Sequence, residues 1–158
     1  MDQQRVAPRQ HISVAGNIGV GKSTLVAILA QEFDWQSYYE HVSDHPYLAD
    51  YYADRTRWGF HSQIWFLTQR YTQHHQISMR HQSVIEDRSM YEDFEIFVKE
   101  LHAEQVLSSR DFALYQQLYE TLVQRIQPPT LVIYLQARVE TLQPVSYTHL
   151  TLPTIYSV

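Results

Sequence analysis

Residues 16–23, Gly16-Asn17-Ile18-Gly19-Val20-Gly21-Lys22-Ser23, fit the pattern G-x-x-x-x-G-K-S, and no other stretch limits the fold of this chain so strongly. The flanks supply the context the pattern requires. His11-Ile12-Ser13-Val14-Ala15 reads as a short buried strand ending at Gly16, and Ser23-Thr24-Leu25-Val26-Ala27-Ile28-Leu29-Ala30 carries apolar residues at helical spacing, predicting a helix that ends near Phe33. A glycine-rich step between a strand and a helix turns successive backbone N–H groups inward and adds the positive end of the helix, which together make a cradle for phosphate oxygens. Gly16, Asn17, Gly19, Gly21, Lys22, Ser23 and Thr24 are therefore the candidate nucleotide contacts. In such a loop Lys22 reaches the outer phosphates, and the Ser23 hydroxyl can ligate Mg²⁺.

The rest of the chain alternates in the same way. Ser37-Tyr38-Tyr39-Glu40 is a short aromatic strand, followed by a loop with Asp44 and Pro46. From about Arg57 to Gln76 there is no proline, and Trp58, Ile64, Trp65, Leu67 and Tyr71 suggest a long helix with one apolar face. Ser83-Val84-Ile85-Glu86-Asp87 is a strand candidate with an acidic exit. Helices are expected over about Met90–Glu104 and Ser109–Arg125, the second stopped by Pro128-Pro129, and Thr130–Leu135 is the clearest strand of all. Strands alternating with helices predict an α/β fold, a parallel sheet flanked by helices, and there is no internal repeat.

Composition removes several other classes. The 158 residues include no cysteine, which excludes disulfides, thiolate metal sites and cysteine nucleophiles. Twelve basic residues against 17 acidic ones speak against a bulk electrostatic grip on a nucleic-acid polymer. The many Tyr and Gln read as a polar helical surface rather than a stacking platform for single strands, which would also need a basic groove. No run of 18 apolar residues is present, so no membrane span is expected, and the polar leader over residues 1–10 lacks a signal-type apolar stretch. A cytoplasmic protein is the expectation. His41 and His45 are four apart and His74 and His75 adjacent, but no acidic residue completes a metal-ligand set at known spacing.

Ligands in open parallel sheets bind beyond the carboxyl ends of the strands. Glu40 falls there, as do Glu86 and Asp87, followed directly by Arg88 and Ser89. A carboxylate near the phosphate loop can accept a proton from an attacking hydroxyl or help hold Mg²⁺, and an adjacent arginine can neutralise charge on a transferred phosphoryl group. From the residues alone Glu40 reads equally well as a solvated loop acid, and Ser89 as the cap of the next helix. A guanine-reading Asn-Lys-x-Asp segment is excluded, because Asn17 is the only asparagine.

The succession GNIGVGKST, YYE, HPYL, RWGFHSQIWFL and EDRSMYEDFEIF resembles the deoxynucleoside kinase family, most of all its bacterial deoxyadenosine/deoxyguanosine kinase branch, over about residues 11–143. The resemblance implies a P-loop kinase fold and transfer of the ATP γ-phosphoryl, with Mg²⁺, to the 5′-hydroxyl of a deoxynucleoside. It implies that Glu40 takes the hydroxyl proton, that Arg88 sits against that hydroxyl and the phosphates, and that Asp87 is the acid associated with Mg²⁺. It implies that Gln63 and Asp93 read the base edge, Tyr52 contacts the sugar 3′-hydroxyl, Phe97 packs on the base and Trp58 lines the pocket. Gln63 has both donor and acceptor, suiting a purine, although cytosine carries an amine at the same edge. From the residues alone Trp58 and Phe97 read as core packing. A homodimer is also implied by the family.

Two departures stand out. His41 follows the catalytic acid where the family commonly has proline, and after the helix start at Val139 no arginine-bearing lid, further sugar-binding acid or last strand is present. Arg138 precedes that helix and is not the lid. Residues 144–158 contain no Asp, Glu, Lys or Arg and follow a helix start abandoned after one turn. They are expected to be a non-native tail resembling translated sequencing adapter, the alternative being a native Thr-rich β tail. The domain expected is thus an incomplete kinase unit over 11–143. Two competing functions are a thymidylate kinase-like nucleoside monophosphate kinase and a non-catalytic nucleotide-binding fragment. The first needs basic residues for the acceptor phosphate, and the segment Glu40 to Tyr52 has none.

Overall fold

Strand β1 (His11–Gly16) is buried at all six positions, as a strand covered on both faces of a parallel sheet must be. It lies between β3 (Val84–Asp87) and β4 (Leu131–Leu135), and β2 (Gln36–Tyr38) pairs with the far side of β3. The order β2-β3-β1-β4 is parallel throughout, with Ile12 opposite Ile85, Val14 opposite Asp87 and Ile133, and Tyr38 opposite Glu86. This is the α/β arrangement expected from the alternating pattern. The computed structural model describes residues 8–40 and 42–137; His41, Arg138 and the expectations for the lid, the last strand and the tail lie outside them.

Helix α1 (Lys22–Phe33) covers one face of the sheet, where Ile12, Val14, Val26 and Ile85 form a small apolar core. The other face receives α3 (Arg55–Ser78), whose His74 ring lies 4.9 Å from His11 of β1. Beyond α3 a second core gathers Leu67, Met90, Phe94, Val98, Leu101, Leu107, Tyr115 and Tyr119 between α3, the chain after β3 and α6 (Ser109–Val123). Asp54 caps α3 by accepting from Arg57 N at 3.0 Å, and Ser108 caps α6 by accepting from Asp111 N at 3.1 Å. Among the described residues no helix is long and apolar enough to cross a membrane.

Three elements differ from the sequence reading. The short helix α2 (Leu48–Ala53) stands where only a loop was expected. β2 ends at Tyr38, so Glu40 lies just past the strand rather than at its last position. The helix expected over Met90–Glu104 is broken into α4 (Met90–Glu92), a π-helical segment (Asp93–Val98) and α5 (Lys99–Ala103). Across the junction of α4 and the π segment three consecutive residues are buried, each against a different partner. Glu92 reaches Gly16, Asp93 reaches Arg70, and Phe94 stacks on Tyr119 at 4.4 Å.

Most unlike expectation is the buried side of α3. The aromatic and aliphatic residues Trp58, Ile64, Trp65 and Tyr71 are only half-buried, and Leu67 alone of the expected apolar face is fully covered. The buried stripe is Gly59, Ser62, Gln63, Leu67, Arg70, His74 and Ile77, at helical spacing but mostly polar. That composition marks the side of α3 facing the sheet as a place for charged and hydrogen-bonding groups.

Candidate active site

The phosphate loop leaves β1 through Gly16 and enters α1 through Gly21, with φ of 144° and 100°, conformations that L side chains rarely adopt. A Cβ at Gly16 would stand 2.4 Å from Leu135 O, so β4 itself packs against the loop. Glu92 accepts a hydrogen bond from Gly16 N at 3.1 Å and anchors the loop from below. Burial raises the Glu92 carboxyl above its ordinary range. Lys22 donates to Gly16 O at 2.8 Å and to Asn17 O at 2.7 Å, folding its ammonium back over the loop. Burial, and after it the nearby Arg88, lowers the Lys22 pKa. Asn17 and Thr24 are exposed on the same loop and first turn.

β3 delivers the second group of residues. The Ser23 hydroxyl donates to the Asp87 carboxylate, bringing two hard oxygen donors together, the type of ligand Mg²⁺ takes. Arg88 has φ of 69°, a left-handed turn that sends its backbone N–H to Val14 O at 2.9 Å and its guanidinium over the Phe97 ring at 4.5 Å. Arg88 Nε lies 3.9 Å from Glu40 Oε2. Ser89 starts α4 without any side-chain cap bond, so the capping alternative for this residue falls away.

Arg70 of α3 joins these parts. Its Nη2 donates to Glu40 Oε1 at 2.7 Å and its Nε to Asp93 Oδ2 at 3.0 Å, with the arginine side chain only 5% exposed. Burial would raise the Glu40 pKa, but Arg70, Arg88 and Lys22 together outweigh it and hold the carboxyl below its ordinary range. In Asp93 burial wins and pushes the pKa up in spite of Arg70. Gln63 precedes Arg70 by seven residues, two turns along the same buried stripe. A cavity lined by Tyr38, Glu40, Phe66, Arg70 and Gln73 reaches the Glu40 carboxylate.

Most of the residues expected from sequence thus meet. Lys22, Ser23, Asp87, Arg88, Glu40 and Asp93 form one chain of contacts or close charges, with Phe97 beneath Arg88. Tyr52 lies on α2 with its ring 5.6 Å from that of Tyr51. Trp58 stacks on Tyr47 at 5.6 Å and under Arg57, near the start of α3. Arg70 and Glu92 were missed by the sequence reading. Arg70 carried one signal, its two-turn spacing from Gln63; Glu92 carried none, because its partner is a backbone amide 76 residues away.

The comparisons with known proteins agree with this geometry. A sequence model described as deoxynucleoside kinase matches residues 12–144. The chain is 37% identical over 143 residues to a deoxyadenosine/deoxycytidine kinase of Bacillus subtilis, covering 89% of this chain and 65% of that protein. It is 35% identical over 138 residues to a deoxyadenosine kinase of Dictyostelium discoideum, covering 87% of this chain and 56% of the relative. The chain therefore spans somewhat over half the length of these curated relatives. Among solved structures, the deoxyadenosine kinase of M. mycoides with the products dCMP and dCDP superposes with a TM-score of 0.80 at 29% identity, covering 88% of this chain and 70% of that one. The same kinase with bound dATP gives 0.79 at 28% identity, covering 89% and 72%. The parallel sheet with its glycine-rich loop is a P-loop kinase fold, and the chain belongs to the deoxynucleoside kinase family.

Proposed function

We propose that this chain is the nucleotide- and substrate-binding part of an ATP-dependent kinase that phosphorylates the 5′-hydroxyl of a deoxynucleoside, preferably a purine one. The observation that carries this reading is Glu40, a carboxylate kept ionised by Arg70 and set 3.9 Å from Arg88 at the mouth of the phosphate loop. An ionised acid there can accept the proton of an attacking hydroxyl. Arg88, held over Phe97, and Lys22 are the cations placed to offset charge on the phosphoryl group in flight. To do so Lys22 exchanges Gly16 O and Asn17 O for phosphate oxygens. Ser23 and Asp87 are the residues that would hold Mg²⁺, which when bound neutralises charge on the β- and γ-phosphate oxygens.

Gln63 and the Arg70–Asp93 pair are proposed to read the base edge, Phe97 to pack on it, Tyr52 to meet the 3′-hydroxyl and Trp58 to line the pocket. With Asp93 Oδ2 committed to Arg70, the donor offered to a base on this side is the arginine as much as the acceptor is the aspartate. The purine preference is supported by the deoxyadenosine kinases the chain resembles, and the unit proposed to do this work is residues 11–143. A cytoplasmic location and a homodimer belong to the same reading, the second checked by sedimentation.

The test is phosphoryl transfer from labelled ATP to deoxyadenosine, deoxyguanosine and deoxycytidine, in a chain extended to the length of its relatives. Glu40→Gln is expected to abolish turnover and leave ATP binding largely intact. Unchanged turnover overturns the role of Glu40. Phosphorylation of dAMP or dTMP in place of the nucleosides would make the protein a nucleoside monophosphate kinase, and ATP binding without any product would leave a non-catalytic nucleotide-binding module.

A further inference from the structure

We propose that the chain binds one transition-metal ion, Zn²⁺ by its donor chemistry, at a buried site between His11 of β1, His74 of α3 and Glu86 of β3. The site lies inside the protein, on the face of the sheet that α3 covers. It does not depend on the kinase reading.

Sequence spacing hides this cluster because its members come from three elements; the fold assembles it. His11 aligns with Val84 across the β1–β3 pair and Ser13 with Glu86, so His11, Ser13 and Glu86 point to one face of the sheet. Asp87, the next residue along β3, points to the other, which separates this site from the Ser23–Asp87 pair. The three side chains are almost fully buried, with exposures of 4%, 2% and 2% for His11, His74 and Glu86. One donor atom from each lies within 4.8 Å of the other two. His11 Nε2 and Glu86 Oε1 are already 3.0 Å apart, against about 3.3 Å for neighbouring ligands on a tetrahedral zinc with bonds near 2.0–2.1 Å.

The state of His74 is what points to an ion rather than to a plain histidine–glutamate pair. Its Nε2 stands 2.6 Å from Gln127 O. A carbonyl only accepts, so Nε2 carries the proton and Nδ1 holds the lone pair. That Nδ1 is buried and has no hydrogen-bond partner among the described residues. A histidine whose one nitrogen donates to a backbone carbonyl while the other keeps a buried lone pair, grouped with a second histidine and a carboxylate, has the arrangement of a metal ligand with its outer partner in place. Ser13 Oγ, on the same face opposite Glu86, is a second buried polar atom without a partner among the described residues. A metal-bound water in the fourth position would satisfy it. Gln73 Nε2, 3.4 Å from Glu86 Oε2, steadies the carboxylate from outside. Two histidines and one carboxylate are a known zinc set, and an ion there would tie β1, β3 and α3 together.

The test uses the whole chain, prepared without a histidine tag and stripped with a chelator. Co²⁺ is titrated in as a spectroscopic probe, followed by Zn²⁺ in competition. The expected result is one Co²⁺ per chain with the visible absorption of a four-coordinate site, displaced by one Zn²⁺, and a Zn²⁺-dependent rise in melting temperature. His74→Gln is expected to weaken Co²⁺ binding at least about a hundredfold, whereas His75→Gln, an exposed neighbour, leaves it unchanged. Should His74→Gln fail to fold, the near-isosteric Glu86→Gln makes the same comparison. No stoichiometric uptake by the stripped chain, or uptake that survives both Glu86→Gln and His74→Gln, overturns the proposal and leaves the cluster a buried ion pair.

Discussion

Replacing Arg70 by methionine removes one charge from the centre of the candidate active site while keeping much of the side-chain volume. The consequence follows from what the guanidinium holds. Asp93 is 4% exposed and receives Nε at 3.0 Å, and the Glu40 side chain is 24% exposed and receives Nη2 at 2.7 Å. After the substitution both carboxylates stay largely out of water, repelling each other, with Arg88 Nε at 3.9 Å from Glu40 the nearest remaining cation in that pairing. Breaking a buried pair from one side costs about 3–5 kcal/mol. For a chain of this size that is a fall in melting temperature of roughly 6–20 °C, taking about 2–4 °C per kcal/mol. The exposed pair Lys99–Glu95 is the internal control, since Lys99→Ala should cost no more than about 0.5 kcal/mol. The pH dependence gives an independent sign. In the variant both carboxyl pKa values rise above their unfolded values, so the penalty is full at neutral pH and shrinks as pH falls through the raised values towards about 4. In the parent, Glu40 works the other way: its lowered pKa contributes stability above the unfolded pKa, lost as pH falls through the folded one. Urea denaturation of parent and variant across that range is the assay. A deficit under about 1 kcal/mol at neutral pH, or one that grows on acidification, would refute the reasoning.

Two further outcomes follow from the loop and the outer core. Gly21→Ala meets open space and should cost only its strained backbone, about 1–3 kcal/mol, whereas Gly16→Ala also drives a Cβ to 2.4 Å from Leu135 O and should cost clearly more. Equal urea midpoints for the two variants would show that β4 yields freely. Tyr115→Phe should stabilise the protein by about 1 kcal/mol, because the hydroxyl is buried with no partner among the described residues while the ring keeps its stack on Phe94. A loss of stability in calorimetry would mean that the hydroxyl is bonded, for instance to an internal water.

The sheet was legible because its signals are local. A glycine-rich loop between a strand and a helix leaves few geometries; β1 and β3 are buried at every position, and β4, although largely exposed, is a continuous apolar run. Glu40, Asp87 and Arg88 could be placed at the strand exits for the same reason. What could not be read was the inner face of α3. A hydrophobic-face argument assumes that the most apolar side of a helix is the buried one, and it chose Trp58, Ile64, Trp65 and Tyr71. The helix instead buries Ser62, Gln63, Arg70 and His74: Ser62 meets His45, Arg70 meets Glu40 and Asp93, and His74 lies beside His11 and Glu86 rather than a hydrophobic wall. Each of those partners is distant in sequence, and a pattern of period 3.6 carries no information about what faces it. The π segment was hidden likewise, since Asp93–Val98 has the apolar and polar content of a plain helix and the partners of Glu92 and Asp93 lie far away in sequence.

The failure of the apolar-face rule is itself evidence about function. Burying an arginine and two acids where aromatic residues were available is costly, and local preference and global fold normally agree. Here they disagree along a single stripe, from Gln63 to His74. Its middle, at Arg70, holds the charge of the candidate base; its end, at His74, presents the nitrogen that has no partner among the described residues to the proposed metal site. One helix therefore positions two polar centres, at Arg70 and His74, four residues apart along its axis. The Arg70→Met and His74→Gln variants should separate them: the first changes the acid response without changing Co²⁺ uptake, and the second does the reverse. If each variant disturbed both readouts equally, the stripe would be a single network, and treating the two centres as independent would be wrong.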